Sequence, residues 1–215
     1  MAETIYEKNQ IIELLITDLG SEGEGIGKID GFPFFVKGAV PGDKIRASVM
    51  KCRKNMGYAR LKEVLTSSLD RRIPECPVYG RCGGCQLMHL TYEAQLKYKE
   101  KKVRDALRRI GGIEEEVLSS VMEPILGMTR EDRPLTRTDE DTSDKEDGAG
   151  FVPLRYRNKA QYPFGRDREG NAVCGFYAGR THSIIPQTDC LLGDQGNEEI
   201  LKCILSWMRK YEIEA

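Results

Sequence analysis

Apolar positions between residues 11 and 66 come in short runs, IIELLITDL, GIGKI, FPFFVKGAV, KIRASVMK and ARLKEVL, with Gly, Pro and Asp between them every eight to twelve residues. That spacing predicts short strands joined by tight turns. Pro41-Gly42-Asp43 is one such turn, because proline presets φ at one corner and glycine accepts a positive φ. Five short strands are best closed into a small barrel, which leaves no exposed edge. Gly23, Gly25 and Gly27 lack the G-x-G-x-x-G spacing of a dinucleotide loop and no helical pattern follows them, so they read as part of a hairpin. The period then changes. Residues 91–110 predict a helix with Thr91 as N-cap, Leu96, Val103, Leu107 and Ile110 on one face, and Gly111-Gly112 as the stop. Residues 151–190 return to a mixed β pattern, and 197–211 predict a short amphipathic helix around Ile200, Ile204, Leu205 and Trp207.

The expected fold is therefore β-rich and multi-domain, of the α+β class. It has a small OB-like barrel over residues 1–68, a cysteine-bearing knuckle and basic helix over 69–112, and a linker over 113–150. The remainder of a central α+β domain occupies 151–215. Within the linker, residues 129–149 hold one leucine, no aromatic and a cluster of acids. Such a segment buries too little apolar surface to offset its ordering entropy and is expected to be disordered.

Composition narrows the setting. The chain has 215 residues, 31% of them charged, and no apolar run approaches the ~18–20 residues that cross a bilayer. The opening MAETIYEKNQ lacks the basic-then-apolar order of a secretory signal. A cytoplasmic protein without a membrane partner is expected, with its seven cysteines acting as thiols or metal ligands instead of disulfides. The formal net charge of −1 conceals segregation: residues 71–109 carry ten basic and four acidic side chains, residues 113–149 four basic and twelve acidic. A near-neutral total does not exclude a polyanionic partner when the charge lies in blocks.

The stretch Cys76-Pro-Val-Tyr-Gly-Arg-Cys82-Gly-Gly-Cys85 carries the most chemistry. Its glycines let the backbone turn tightly so that sulfurs converge, and soft thiolates at this spacing select zinc or an iron–sulfur cluster. Two fourth ligands are available. His89 would complete a local Cys₃His zinc site. Cys190, 105 residues beyond Cys85, would complete a four-thiolate shell suited to a cubane cluster and would staple two distant segments. Cys52, Cys174 and Cys203 stand alone and read as buried small hydrophobes.

Taken in order, a β-barrel, the motif C-x₅-C-G-G-C-Q-x-x-H, a basic helix, Tyr156-Arg157-Asn158-Lys159-Ala160, Gly175-Phe176-Tyr177 and Cys190 resemble the bacterial RNA uracil-5-methyltransferase family. The branch most resembled acts on 23S ribosomal RNA and carries a TRAM domain and a [4Fe-4S] cluster. The resemblance implies that Cys76, Cys82, Cys85 and Cys190 hold the cluster, which leaves His89 to pack or to support the ligands from just outside. It also implies S-adenosylmethionine as methyl donor and a cysteine nucleophile that attacks C6 of uracil to activate C5, a form of covalent catalysis. No Gly-rich cofactor loop follows Ala160 and no candidate nucleophile lies beyond Cys203. The expectation is thus a chain holding no catalytic or S-adenosylmethionine-binding residue, truncated before the methyltransferase domain and inactive alone.

What remains is RNA recognition. Residues 44–62 include Lys44, Arg46, Lys51, Arg53, Lys54, Arg60 and Lys62 and no acid. On alternating strand positions these make a positive face, with Tyr58 available for stacking; phosphate neutralisation would supply most of the affinity and stacking ~1–3 kcal/mol per base. Arg155, Arg157 and Lys159 alternate on an apparent strand and add a second phosphate-gripping row. The expected partner is RNA, ribosomal by resemblance, and not DNA. Uracil methylation has no redox step, so the cluster is expected to be structural.

Overall fold

In the computed structural model the described residues are 6–129, 152–179 and 181–214. The expected acidic insertion at 129–149 lies outside them but for Thr129. The chain divides into two compact units, one formed by Met1–Ile73 with Gln86–Leu126, the other by Pro74–Cys85 with Gly127–Ala215. The knuckle thus groups with the C-terminal residues and the basic helix with the barrel.

In the first unit, β1 (Ile11–Leu19), β2 (Gly25–Ile29), β3 (Phe32–Lys37), β4 (Lys44–Arg53) and β5 (Met56–Thr66) close a barrel in the order β1-β2-β3-β5-β4. All pairings are antiparallel except β3 with β5. Ile12, Leu14 and Ile16 point inward from β1 and meet Phe34, Val36, Ile45, Ala47, Val49 and Ala59, while Ile11 and Leu15 face outward. Strand period two explains this division. Two glycines on β2 and β5 are required by close packing. A Cβ on Gly27 would lie 2.6 Å from both Leu14 Cδ1 and the Leu15 carbonyl, and one on Gly57 would strike the ring of buried Phe34. Gly25 and Gly27 are strand residues, as the hairpin reading holds.

Asp43 locks the turn after β3. It is fully buried and accepts hydrogen bonds from the backbone N–H of Val40 (2.7 Å) and Ser68 (2.9 Å) and from the Arg71 guanidinium (2.6 Å), which also donates to the Gly38 carbonyl. Burial pushes the carboxyl upward, but these donors outweigh it and hold the carboxyl below its ordinary value.

Helix α1 (Tyr92–Arg109) is capped by Thr91, whose side chain accepts from the Ala94 N–H. The predicted apolar face is not its buried face: Ala94 is buried, whereas Val103 is 51% and Ile110 88% exposed. The helix packs Ala94 with Val40 and Leu90 and is further held through polar contacts to the end of β1 and the loop after it. Tyr98 donates to the Gly20 and Ser21 carbonyls, Lys102 to Ser21, and Lys101 pairs with Asp18. A short helix α2 (Glu115–Val121) follows within the stretch expected to be linker, seating Leu118 in the interior.

The second unit contains a three-stranded sheet, β6 (Phe164–Arg166), β7 (Ala172–Tyr177) and β8 (Ile184–Pro186), with β7 central. Helix α3 (Gly196–Lys210) buries Leu201, Leu205 and Met208, the first two packing with Cys174 of β7. The expected helix is present but rotated: Ile200 and Trp207 are exposed. No strand covers 155–159. Arg155 adopts φ 56°, which breaks the alternation expected there, and Arg157 makes only an isolated bridge to Gly193. Among the described residues no helix is long and apolar enough to cross a membrane.

Candidate metal centre and nucleic-acid interface

All four cysteines of the implied cluster lie in the second unit. The knuckle runs along the end of β7: the Gly83 N–H donates to the Tyr177 carbonyl at 3.0 Å, and Cys82 bridges Ala178. A Cβ at Gly83 would meet the Tyr177 carbonyl and Gly179, so the sheet it crosses requires glycine at the first residue of the Gly-Gly pair. The Gly84 N–H points at Cys82 Sγ at 3.3 Å. Gln187, just past β8, reaches toward Cys76 Sγ at 4.0 Å and also donates to the Asp189 carbonyl.

Burial raises Cys85 to about 11, and Cys190, Cys82 and Cys76 add to that rise while Arg157 opposes it. Burial likewise raises Cys82, with Cys190 and Cys76 contributing. A thiol becomes a metal ligand only as a cation displaces its proton. By resemblance these four thiols would be the donors of a thiolate-bound cluster. Among the described residues, however, no three His, Cys, Asp or Glu side chains are drawn together closely enough to hold an ion.

The loop carrying Cys190 is clamped from behind. Arg155 is 10% exposed at its side chain and pairs with Asp189 through both nitrogens (2.5 and 3.0 Å), while Nη1 also donates to the carbonyls of Cys190 (2.9 Å) and Gly193 (3.2 Å). Its own N–H donates to the Leu191 carbonyl. Arg155 is therefore not the phosphate-gripping residue expected of it; its fork is consumed inside the fold. Arg157 stands by the thiols, and Lys159 is exposed. Nothing in the sequence marked Asp189 or Gln187, because their partners lie 34 and 111 residues away.

His89, the alternative fourth ligand, belongs to the first unit. It is 2% exposed, and burial, helped by Arg71, lowers its imidazole to about 4. That is the environment of a neutral packing residue.

On the barrel, Lys44, Lys51, Arg53, Lys54 and Arg60 are exposed. Irregular pairing between Val49 and Lys51 shifts the phase of β4, so Arg46 and Lys51 both reach the outside despite their odd spacing. Arg46 is a correction: it pairs with Glu13 at 2.9 Å and Glu63 at 2.5 Å, which neutralises it within the sheet. Tyr58 stacks beside Phe35 with centroids 5.7 Å apart, and Arg53 lies over its ring at 5.9 Å. The basic ladder of α1 is also largely self-satisfied, through Lys101, Arg108 and Arg109 with Asp105 and Arg104 with Glu115.

Comparison with known proteins narrows what this arrangement is. The family model described as TRAM domain matches residues 7–62, which take in β1 to β4 and most of β5. Residues 7–62 are a TRAM domain. Nearly the whole chain is, in addition, homologous to RNA methyltransferases. A protein of Clostridium acetobutylicum named as an uncharacterized RNA methyltransferase is 41% identical over 209 residues, 97% of this chain and 40% of that protein. One from Bacillus cereus is 40% identical over 210 residues, 97% of this chain and 40% of that protein. The chain spans about two-fifths of the length of these relatives. In fold it is similar to the tRNA (uracil-54, C5)-methyltransferase of Pyrococcus abyssi, solved with S-adenosyl-L-homocysteine: the TM-score is 0.51 at 20% identity, covering 94% of this chain and 37% of that one. The TRAM barrel and the thiol-bearing unit both fall within the homologous span.

Proposed function

We propose that this chain is the RNA-binding and iron–sulfur portion of an S-adenosylmethionine-dependent RNA uracil-5-methyltransferase acting on 23S ribosomal RNA. The observation that supports the reading is that Cys76, Cys82, Cys85 and Cys190 belong to one compact unit of a chain whose other unit contains a TRAM barrel. Cys76, Cys82, Cys85 and Cys190 hold a [4Fe-4S] cluster, and Arg155 and Asp189 orient the loop that presents the last of them. When bound, the cluster supplies a covalent tie between segments far apart in sequence, and its binding energy becomes folding energy. Lys44, Lys51, Arg53, Lys54 and Arg60 place the TRAM barrel on the phosphate backbone, and Tyr58 offers a face for a base.

Two measurements test this. Protein purified without oxygen is expected to be brown and to contain about four iron and four sulfide per chain, as one cubane cluster requires; Cys190→Ser should lose iron and unfold at lower denaturant. A colourless, zinc-loaded protein, or a Cys190→Ser variant with unchanged iron and stability, overturns the iron–sulfur reading. Anisotropy titrations with fluorescent fragments of 23S ribosomal RNA, transfer RNA and duplex DNA are expected to rank the ribosomal fragment first. Equal binding to all three removes the ribosomal assignment.

A further inference from the structure

A cluster of cations on the barrel stands apart from the ion pairs that neutralise its neighbours. A cavity of about 260 Å³ opens on the outer wall, lined by Lys8, Asn9, Ser48, Met50, Arg60 and Lys62. Arg60 and Lys62 stand two residues apart on β5 and so share its outward side. Ser48 of β4 lies opposite Arg60 on one neighbouring strand and opposite Ile11 on the other. Lys8 arrives from the turn before β1, and that turn is pinned: Asn9, at φ 68°, donates its N–H to the Val49 carbonyl at 2.8 Å, and Gln10 accepts from Val49 and caps Glu7.

Three positive side chains line this cavity and no carboxylate does. Among the described residues none of the three is held in an ion pair, whereas the nearby acids Glu13 and Glu63 are both engaged by Arg46. The sheet thus separates its charges, neutralising acids on one rung and leaving cations on the next. The volume falls below the ~300–1,000 Å³ of a small-molecule site, which suits one phosphodiester with its ribose and not a whole cofactor. Tyr58 lies two residues before Arg60 on the same outward side of β5, so a strand leaving the cavity along β5 meets an aromatic ring.

We propose that the Lys8–Arg60–Lys62 cavity is a phosphate site for the backbone of single-stranded RNA, with the Asn9 and Ser48 side chains donating to the phosphate or ribose oxygens. It rests on the RNA-binding reading above and adds the place where the strand is gripped. Lys and Arg at such a site contribute affinity without base preference.

The test uses the full chain and a fluorescent oligouridylate, titrated by anisotropy over a range of salt, for the wild type, Arg60→Ala/Lys62→Ala and Lys28→Ala. Lys28 sits on β2, away from the cavity. The double variant is expected to bind several-fold more weakly, with the slope of log affinity against log salt shallower by about 0.7 for each phosphate left without its cation. Lys28→Ala should match the wild type, and thermal midpoints should be equal because all three side chains are exposed. In a second measurement, amide resonances of Asn9, Ser48 and Arg60 are expected to move on adding ribose 5-phosphate. If the wild type binds RNA and the double variant binds it equally well, the cavity is not the grip, and RNA binding stands without it. Amide shifts with inorganic phosphate accompanied by unchanged RNA affinity identify a free-phosphate site and overturn the proposal. A wild type that binds no RNA removes the functional reading and this site together.

Discussion

Arg155 separates two accounts of the second unit, and its replacement decides between them. As a phosphate contact it would be an exposed cation, interchangeable with lysine, and its loss would leave stability unchanged. In the structure it is a largely buried fork that makes two bonds to Asp189 and one each to the carbonyls of Cys190 and Gly193. Hydrogen bonds to charged groups are worth ~1.5–3 kcal/mol and breaking a buried ion pair ~3–5 kcal/mol. Asp189 is 35% exposed, so water takes over part of what the pair supplied. Arg155→Ala should therefore destabilise the second unit by roughly 2–4 kcal/mol, at ~4–8 °C of midpoint per kcal/mol for a unit of this size. Arg155→Lys should recover little of it, since an ammonium cannot reach both carboxylate oxygens and two carbonyls at once. Trp207, the chain's single tryptophan, sits on α3 in the same unit and reports its unfolding by fluorescence. RNA titrations at several salt concentrations, with the variants held below their melting range, should give the wild-type slope. Unchanged melting with a slope shallower by about 0.7, and full rescue by lysine, would refute the clamp and restore Arg155 to the RNA surface.

Two further outcomes follow from the barrel unit. His89 resists protonation until about pH 4, whereas an unfolded imidazole titrates near 6.5. Stability is thus greatest above ~6.5 and falls as pH drops toward 4, by up to about 3 kcal/mol. Asp43, held low by its donors, extends the loss further into acid. Denaturant midpoints followed by circular dichroism between pH 8 and 4 check this, and a His89→Gln variant should show a flatter profile. Gly57→Ala places a methyl 2.6 Å from Cδ1 of the fully buried Phe34; overpacking of this kind costs ~1–3 kcal/mol, read as a lower midpoint for the barrel transition.

Local pattern determined the five strands of the barrel, the Thr91 cap and the existence of α1 and α3, because strand alternation, turn residues and caps act over only a few positions. It did not determine which side of α3 is buried: Trp207 and Ile200 satisfy a helical period as well as Leu201 and Met208 do, and the sheet beneath chose among them. Nor did it foretell α2, whose seven residues lie too close to an acidic run to register. The cations show the limit most clearly. Arg46, Arg60 and Arg155 are alike in sequence, each in a basic stretch without a neighbouring acid. Barrel closure sets Glu13 and Glu63 beside the first and leaves the second beside Lys8 at the mouth of a cavity. Folding of the 189–193 loop buries the third. Whether a charge is available to a partner depends on what stands across the sheet or behind the loop, and pairings separated by 30 to 100 residues are written in the closed structure alone.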